Sequence, residues 1–384
     1  MSTSLPRPAT IHRLLADSTV FQWRNLTLRA DVIFTLPVAI CLAIGLAMGH
    51  PGVGLIAAGG AANTGFGQKH RIDDSELIPM ILATLGMAFS GFAGVIVGHE
   101  NLLLVLLSAL LAFGYGLLTA RPEGYGWVGQ QCVVTFLVTS AFPASLGDAV
   151  ARGLLLFAGG AVELLLSSFL LHTFHRLRDQ LFALSCYFRD ERAAFLAALV
   201  ETAQSVRQRR FLNSAMPYAL RLAATVGVAT EIYRRLHYPS GYWIPMTALL
   251  VLKPGLTDTV SRAVARVLGT MCGAIVISFI LARVHPTSIV LAAFTALFAW
   301  LSYALVNVNY ALFSTAVTGY IVFLLSLNEV PGPTIALHRT ISTALGGGIA
   351  LSIRIVVIAY RRRHWRRAAA VVRRTAFPHH SVAD

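Results

Sequence analysis

The chain has 384 residues, of which 56% are apolar and only 12% charged, and its formal net charge is +14. That much apolar surface exceeds what a soluble core of this length can hide, so a water-soluble globular protein is excluded and an integral membrane protein is expected. The positive charge does not mark a nucleic-acid binder, because the densest Arg cluster follows directly on an apolar run and no nucleic-acid fold signature accompanies it.

Residues 1–30 carry Arg7, Arg13, Arg24 and Arg29 but no apolar core, which predicts a cytoplasmic segment and no cleavable signal peptide. Apolar runs then fall at about 31–48, 51–67, 76–98, 101–120, 127–147 and 152–172, forming a first membrane unit over 31–172. Residues 173–216 mix Arg176, Arg178, Arg189, Arg192, Arg207, Arg209 and Arg210 with Asp179, Asp190, Glu191 and Glu201, with Leu and Phe at helical spacing. This reads as a cytoplasmic linker of one or two amphipathic helices that joins the halves or supports a dimer contact. A second set of runs, at about 218–237, 239–254, 264–282, 287–306, 309–327 and 338–360, forms a second unit over 217–360, and a basic tail occupies 361–384. The expected fold is therefore an all-α membrane protein of about twelve transmembrane helices, six per half. Cys41, Cys132, Cys186 and Cys272 show no CxxC spacing and read as buried free thiols, without disulfide or metal.

The halves repeat each other. Arg152 followed by Gly159-Gly160 recurs as Arg339 followed by Gly346-Gly347 at an offset of 187, and His50-Pro51 recurs as Tyr238-Pro239 at 188. With the N-terminal segment inside, 25 of the 31 Lys and Arg are cytoplasmic, five (Arg152, Arg234, Arg235, Arg283, Arg339) are outside, and Arg354 lies in the last run. The positive-inside rule favours this orientation, and an even number of spans per half makes the repeats parallel, related by an axis along the membrane normal.

The second run of each half, 52–67 and 241–256, is 16 residues long and broken by Gly or Pro. A helix of that length covers about 24 Å, short of a hydrocarbon core of about 30 Å. Short interrupted segments at matching places in two repeats point to a transporter's substrate site; a small-residue packing face is the alternative. The candidate substrate-binding residues are Trp243, Thr247, Lys253, Arg221, Arg262 and Arg266, with Asn63 and Thr64 in the first half. The basic ones suit an anion at a cytoplasmic mouth, or else they are ordinary positive-inside flanking residues. Glu163, near the middle of the sixth run, is either a proton carrier or half of a structural pair with Arg354. Arg152 and Arg339 form either a symmetric anion gate or caps of helix ends among the headgroups. No nucleophile elbow, HExxH, P-loop or Rossmann spacing occurs, so no enzymatic activity, cofactor or metal is expected and ATP-driven transport is excluded.

The stretch 221–281 resembles the fusaric acid resistance-like family, also described as aromatic acid exporters, through Trp243-x-Pro245-x-Thr247, Arg262, Arg266, Leu268-Gly269-Thr270 and Gly273. The first half is less similar: Leu85-Gly86 parallels Leu268-Gly269, but no Trp-x-Pro occurs. The resemblance implies a multi-pass bacterial inner-membrane exporter of aromatic carboxylic acids, driven by proton antiport and in some members assisted by a periplasmic adaptor. Anionic lipids at the Arg-rich tail and a homo-oligomer complete the expected partners. A passive organic-anion channel and a non-transporting membrane scaffold are the rival readings.

Overall fold

The computed structural model describes residues 14–28, 31–73, 75–98, 100–121, 123–171, 185–187, 189, 206–238, 240–284, 286–328 and 330–376. Arg7, Arg13, Arg29, Pro239, most of the linker and the side chains of Arg361, Arg362, Arg366, Arg367, Arg373 and Arg374 lie outside the described residues. Among the described residues the fold is all-helical, with twelve helices of nine residues or more. In the first half these are α1 (Asp31–Ala47), α2 (Pro51–Gly65), α3 (Leu77–Val97), α4 (Leu102–Leu118), α5 (Glu123–Ser140) and α6 (Leu146–Leu171). In the second they are α7 (Val206–Leu236), α8 (Trp243–Val251), α9 (Leu256–Val284), α10 (Ser288–Leu305), α11 (Tyr310–Ser326) and α12 (Gly332–Ala376).

Local chemistry sets the helix ends. Pro51 at the first turn of α2 loses no needed hydrogen bond. Asn101 caps α4 through Leu103 N–H at 2.9 Å, and Asn309 caps α11 through Ala311 and Leu312. Gly98 ends α3 at φ +67°, where a side chain would be strained. Helix α8 stops after nine residues because Leu252 turns extended ahead of Lys253-Pro254. Helix α2 gives way at Phe66 to a 3₁₀ turn through Lys69. Both second helices are therefore short, about 22 and 14 Å as α-helix.

Helices α3, α6, α9, α10 and the Gly332–Tyr360 part of α12 are long and apolar enough to cross a membrane, and α1, α4 and α11 are shorter apolar helices. Large apolar side chains point outward along them, among them Phe89, Leu110, Leu165, Phe169, Ile275, Phe279 and Val356. In water such a surface would aggregate, whereas acyl chains satisfy it. The boundaries differ most from expectation at two places: α7 begins at Val206, ahead of 217, and α12 continues as one 45-residue helix through the basic segment to Ala376, while α5, α6 and α9 are offset by smaller amounts. Arg and Ala, both good helix formers, sustain the helix beyond 360, where its apolar part ends.

The packing of the halves corresponds pair by pair. Within the first half α3 contacts α5 and α6, α2 contacts α6, α4 contacts α5, and α1 contacts α2. In the second, α9 contacts α11 and α12, α8 contacts α12, α10 contacts α11, and α7 contacts α8. A Cβ on Gly159 would lie 1.9 Å from the carbonyl oxygen of Ala57, and one on Gly346 2.4 Å from that of Ile244. Both members of that contact shift by 187, so the duplicated glycines let the sixth helix of each half touch the backbone of the second. The third and fifth helices have their own offset. Gly94 meets Phe136 O and Thr139, and Gly273 meets Thr315 O and Thr318, each pair 179 apart. This corrects the expected match of Leu85-Gly86 with Leu268-Gly269: loops of unequal length shift the register, and the equivalent of Gly269 is Ser90.

The halves are also interlocked, because α4 packs on α7 and α10 packs on α1. One buried cluster joins Leu104, Ala112 and Tyr115 to Tyr218, Leu222, Trp243 and Ala350; the other joins Val38, Leu42 and Ala61 to Phe298, Val322 and Phe323. A fragment of the linker reaches the first half, where Tyr187 is buried against Ile72 and Ile78. The four cysteines are free, but only Cys41 is fully buried and Cys272 is exposed on the outer face of α9.

Candidate functional site

Helix α8 has no lipid-facing side: Trp243, Ile244, Pro245, Met246, Thr247, Ala248, Leu249 and Val251 are all buried. Helix α12 packs along it and α9 touches it more lightly, while α11 packs in turn on α9 and α12; these three helices contribute polar groups to an otherwise apolar interior. Arg266 and Thr270 are one turn apart on α9, Ser314 and Thr318 one turn apart on α11, and Arg339 and Ser342 lie on α12. All six are buried, Arg339 with 0% and Arg266 with 3% exposure.

Arg339 projects over the indole of Trp243, its Cζ 4.0 Å from the ring centroid, and its Nε donates to Thr318 Oγ1 at 3.2 Å. Its Nη1 and Nη2 have no hydrogen-bond acceptor, and neither does Nε of Arg266. The hydroxyls of Thr247, Thr270, Ser314 and Ser342 and the indole N–H of Trp243 are likewise unmatched. The two guanidiniums are close enough to repel each other. Among the described residues neither forms an ion pair, and from Ile232 to Asn328 the only acid in the sequence is Asp258, exposed at the start of α9. A buried cation normally has an anionic partner, so this interior is missing a negative charge. Gly346 lies against Thr247 and keeps α12 close to α8, which holds Arg339 on the ring.

The structure thus places Arg339 on Trp243 and within electrostatic reach of Arg266, and packs Thr247 against Gly346 of the same helix as Arg339. Arg339 does not cap a helix end, and it shares no environment with Arg152, whose Nη1 donates to the carbonyl of Phe142 at 2.5 Å. A symmetric gate of Arg152 and Arg339 is therefore not present. The sequence hid this because equal spacing puts both arginines at matching places, and Thr139 even matches Thr318, whereas the first-half counterpart of Trp243 is Ile56.

Lys253, Arg221 and Arg262 lie apart from the buried pair, nearer the end of the second half that carries Ser261 and Tyr310. Arg262 stacks on Tyr310 at 4.0 Å and pairs with Asp17 at 3.3 Å. Arg221 lies over Tyr218 at 5.9 Å and donates to Pro217 O. The backbone N–H of Lys253 donates to Thr259 Oγ1 at 3.0 Å, fixing the turn that follows α8.

A separate polar region occupies the first half. Glu163 is fully buried, with neither carboxyl oxygen hydrogen-bonded. Gly65 separates it from Tyr303 of α10, since a Cβ there would meet Glu163 Oε1 at 3.0 Å and Tyr303 Oη at 2.5 Å. The Tyr303 hydroxyl donates to Ala62 O at 2.8 Å. Thr64 and Thr84 share a 3.1 Å hydrogen bond beside Gly160, and Asn63 donates to Gly59 O at 3.0 Å. Glu163 does not pair with Arg354, which donates instead to the carbonyl of Pro254. Their spacing along two sixth helices suggested a pair, but Glu163 turns toward α2 and α10 and Arg354 toward the turn after α8. Outside the spans, Lys69 joins the halves, donating to Tyr303 O at 2.5 Å and pairing with the buried Asp31 at 3.4 Å. Burial lowers the pKa of its ammonium, with Asp31 opposing.

The family model described as fusaric acid resistance protein-like matches residues 226–353, a stretch that includes α8, α9, α11 and the Arg339 region of α12. Similar curated relatives are uncharacterized protein slr1298 of Synechocystis, 30% identical over 37% of this chain and 19% of its own length, and uncharacterized protein ORF2 of Neisseria gonorrhoeae, 37% identical over 24% and 22%. Uncharacterized protein YhfK of Escherichia coli is 34% identical over 36% of this chain and 20% of its own. The chain thus spans about a fifth of the length of these relatives. No solved structure matches. Residues 226–353 of this multi-pass membrane chain, which carry most of the helices around the paired arginines, are thus similar to the fusaric acid resistance protein-like family.

Proposed function

We propose that the protein is a secondary transporter that exports small organic anions, aromatic carboxylic acids in particular, across a bacterial inner membrane in exchange for protons. The observation that carries this reading is the pair of buried guanidiniums, Arg266 and Arg339, with an indole against one of them and, among the described residues, no ion pair to either. A carboxylate entering there supplies the missing charge and accepts from the unmatched Nη groups of Arg339, while its ring packs on Trp243. The break at the end of α8 supports a mobile element at this point, since irregular backbone at such depth must be buried or line a water-filled cavity.

Glu163 is the residue we assign to the coupled proton, because it is a carboxyl in a dry interior with no cation paired to it. Its neighbour Tyr303 belongs to α10, so its state is communicated to the half that holds the anion. We assign the chain two parallel six-helix repeats with twelve spans, supported by the matched packing, with residues 14–28 and the basic end of α12 in the cytoplasm. Anionic lipid at that basic end, a periplasmic adaptor and a homo-oligomer are the partners proposed.

In proteoliposomes, efflux of benzoate should follow an imposed pH gradient and be lost in Arg266→Ala and Arg339→Ala. Flux that ignores the gradient and carries current assigns the protein as a passive anion channel, and flux unaffected by both substitutions removes transport through this site.

A further inference from the structure

Residues 14–28 lie across the ends of α9 and α11. The Asp17 N–H donates to Ser261 Oγ at 2.8 Å, Gln22 N–H donates to Val308 O at 2.9 Å, Asn309 Nδ2 donates to Val20 O at 2.9 Å, and Trp300 Nε1 donates to Leu28 O at 2.9 Å. These contacts hold one side chain over the basic mouth: Asp17 Oδ2 is 3.3 Å from Arg262 Nε. Lys253 is within electrostatic reach of Arg262, Asp17 and Asp258. Arg262 stacks on Tyr310, and Tyr310 is in turn within electrostatic reach of Arg339. Arg266 lies one turn inward of Arg262 on the same helix. The cations therefore form a path from the mouth to the buried pair, and its outer end already holds a carboxylate from the chain itself.

We propose that Arg262 and Lys253 form an entrance site for a carboxylate, and that Asp17 is a tethered competitor for it, so that the segment 14–28 must lift before a substrate anion reaches Arg266 and Arg339. The inference rests on the anion-transport reading. Asp17 and Arg262 have side-chain exposures of 31% and 29%, so water screens the pair and it yields readily to a free anion. The hydrogen bonds of the Gln22 N–H and the Val20 carbonyl to Val308 O and Asn309 Nδ2 return the segment once the anion has passed.

The test uses the full-length protein in nanodiscs with benzoate as the probe. Asp17→Asn should lower the half-saturating benzoate concentration by about two- to fivefold, the range an exposed ion pair supports. In the unmodified protein, benzoate should raise amide hydrogen exchange across residues 14–28. Unchanged half-saturation in the variant, or unchanged exchange in a wild-type protein that binds benzoate, overturns the tethered competitor and leaves the transport reading standing. Should Asp17→Asn fail to fold, the exchange measurement on the unmodified protein decides alone. If neither protein binds benzoate, the competitor and the transport reading fall together.

Discussion

Replacing Arg339 with Met separates the demands of folding from those of binding. A guanidinium deep in a membrane helix costs about 2.5–3.5 kcal/mol. Here two of its nitrogens also lack acceptors, which adds roughly 1–3 kcal/mol. Against this stand one hydrogen bond to Thr318, worth about 1 kcal/mol at 3.2 Å, and the stacking on Trp243, worth about 2 kcal/mol when desolvated. Met fills similar volume without a charge, so the ligand-free variant should be more stable by roughly 1–3 kcal/mol. Thermal unfolding in detergent should show a melting temperature higher by a few degrees. Benzoate at ten times its Kd should stabilise the wild type by about 1.4 kcal/mol and leave the variant unmoved. A variant that melts lower than wild type and still responds to benzoate would show that Arg339 is structural, and the missing-charge argument would be wrong.

Gly159→Val and Gly346→Val place a side chain on a carbonyl and should each cost more than about 2 kcal/mol, whereas Gly348→Ala, with nothing within 4 Å of its Cβ, should be neutral or stabilising by up to about 1 kcal/mol; melting curves of the three compare them directly. Glu163→Gln should leave benzoate binding intact and make efflux in proteoliposomes independent of the pH gradient; persistent coupling would assign the proton elsewhere. Trp243→Leu should weaken binding of benzoate about three- to tenfold while sparing a short aliphatic carboxylate, and equal losses for both would remove the ring contact from recognition.

Much of the architecture is legible in the sequence because lipid enforces it: the apolar runs anticipate most of the twelve helices within a few residues, and the 187-residue repeat turns out to be a contact between backbones. Hydropathy drew the last span to 360, where the apolar part of α12 does end, but it could not show that α7 starts earlier and α12 runs on, since charged residues such as Arg209 or Arg363 continue a helix as well as leucine does. At the site, Trp243 and Arg266 stood out by type and position, and Thr247 through the family resemblance. Arg339 was visible but misassigned, because burial depends on which helix lies opposite. Of the two readings of Glu163, the pairing with Arg354 is not formed, for the same reason. Asp17 carried no signal at all, for a lone acid in a basic N-terminal stretch reads as solvated until the fold carries it 245 positions away to Arg262.

The exchange of partners between the halves bears on how the chain is made. Helices α1 and α4 emerge from the ribosome long before α10 and α7, against which they finally rest. Until then the inner faces of Phe34, Leu42 and Leu104 have no protein to cover them and must be sheltered by lipid or by the insertion machinery. A nascent product truncated after α6 would expose two unfinished seams, each shaped to accept the corresponding helices of another copy.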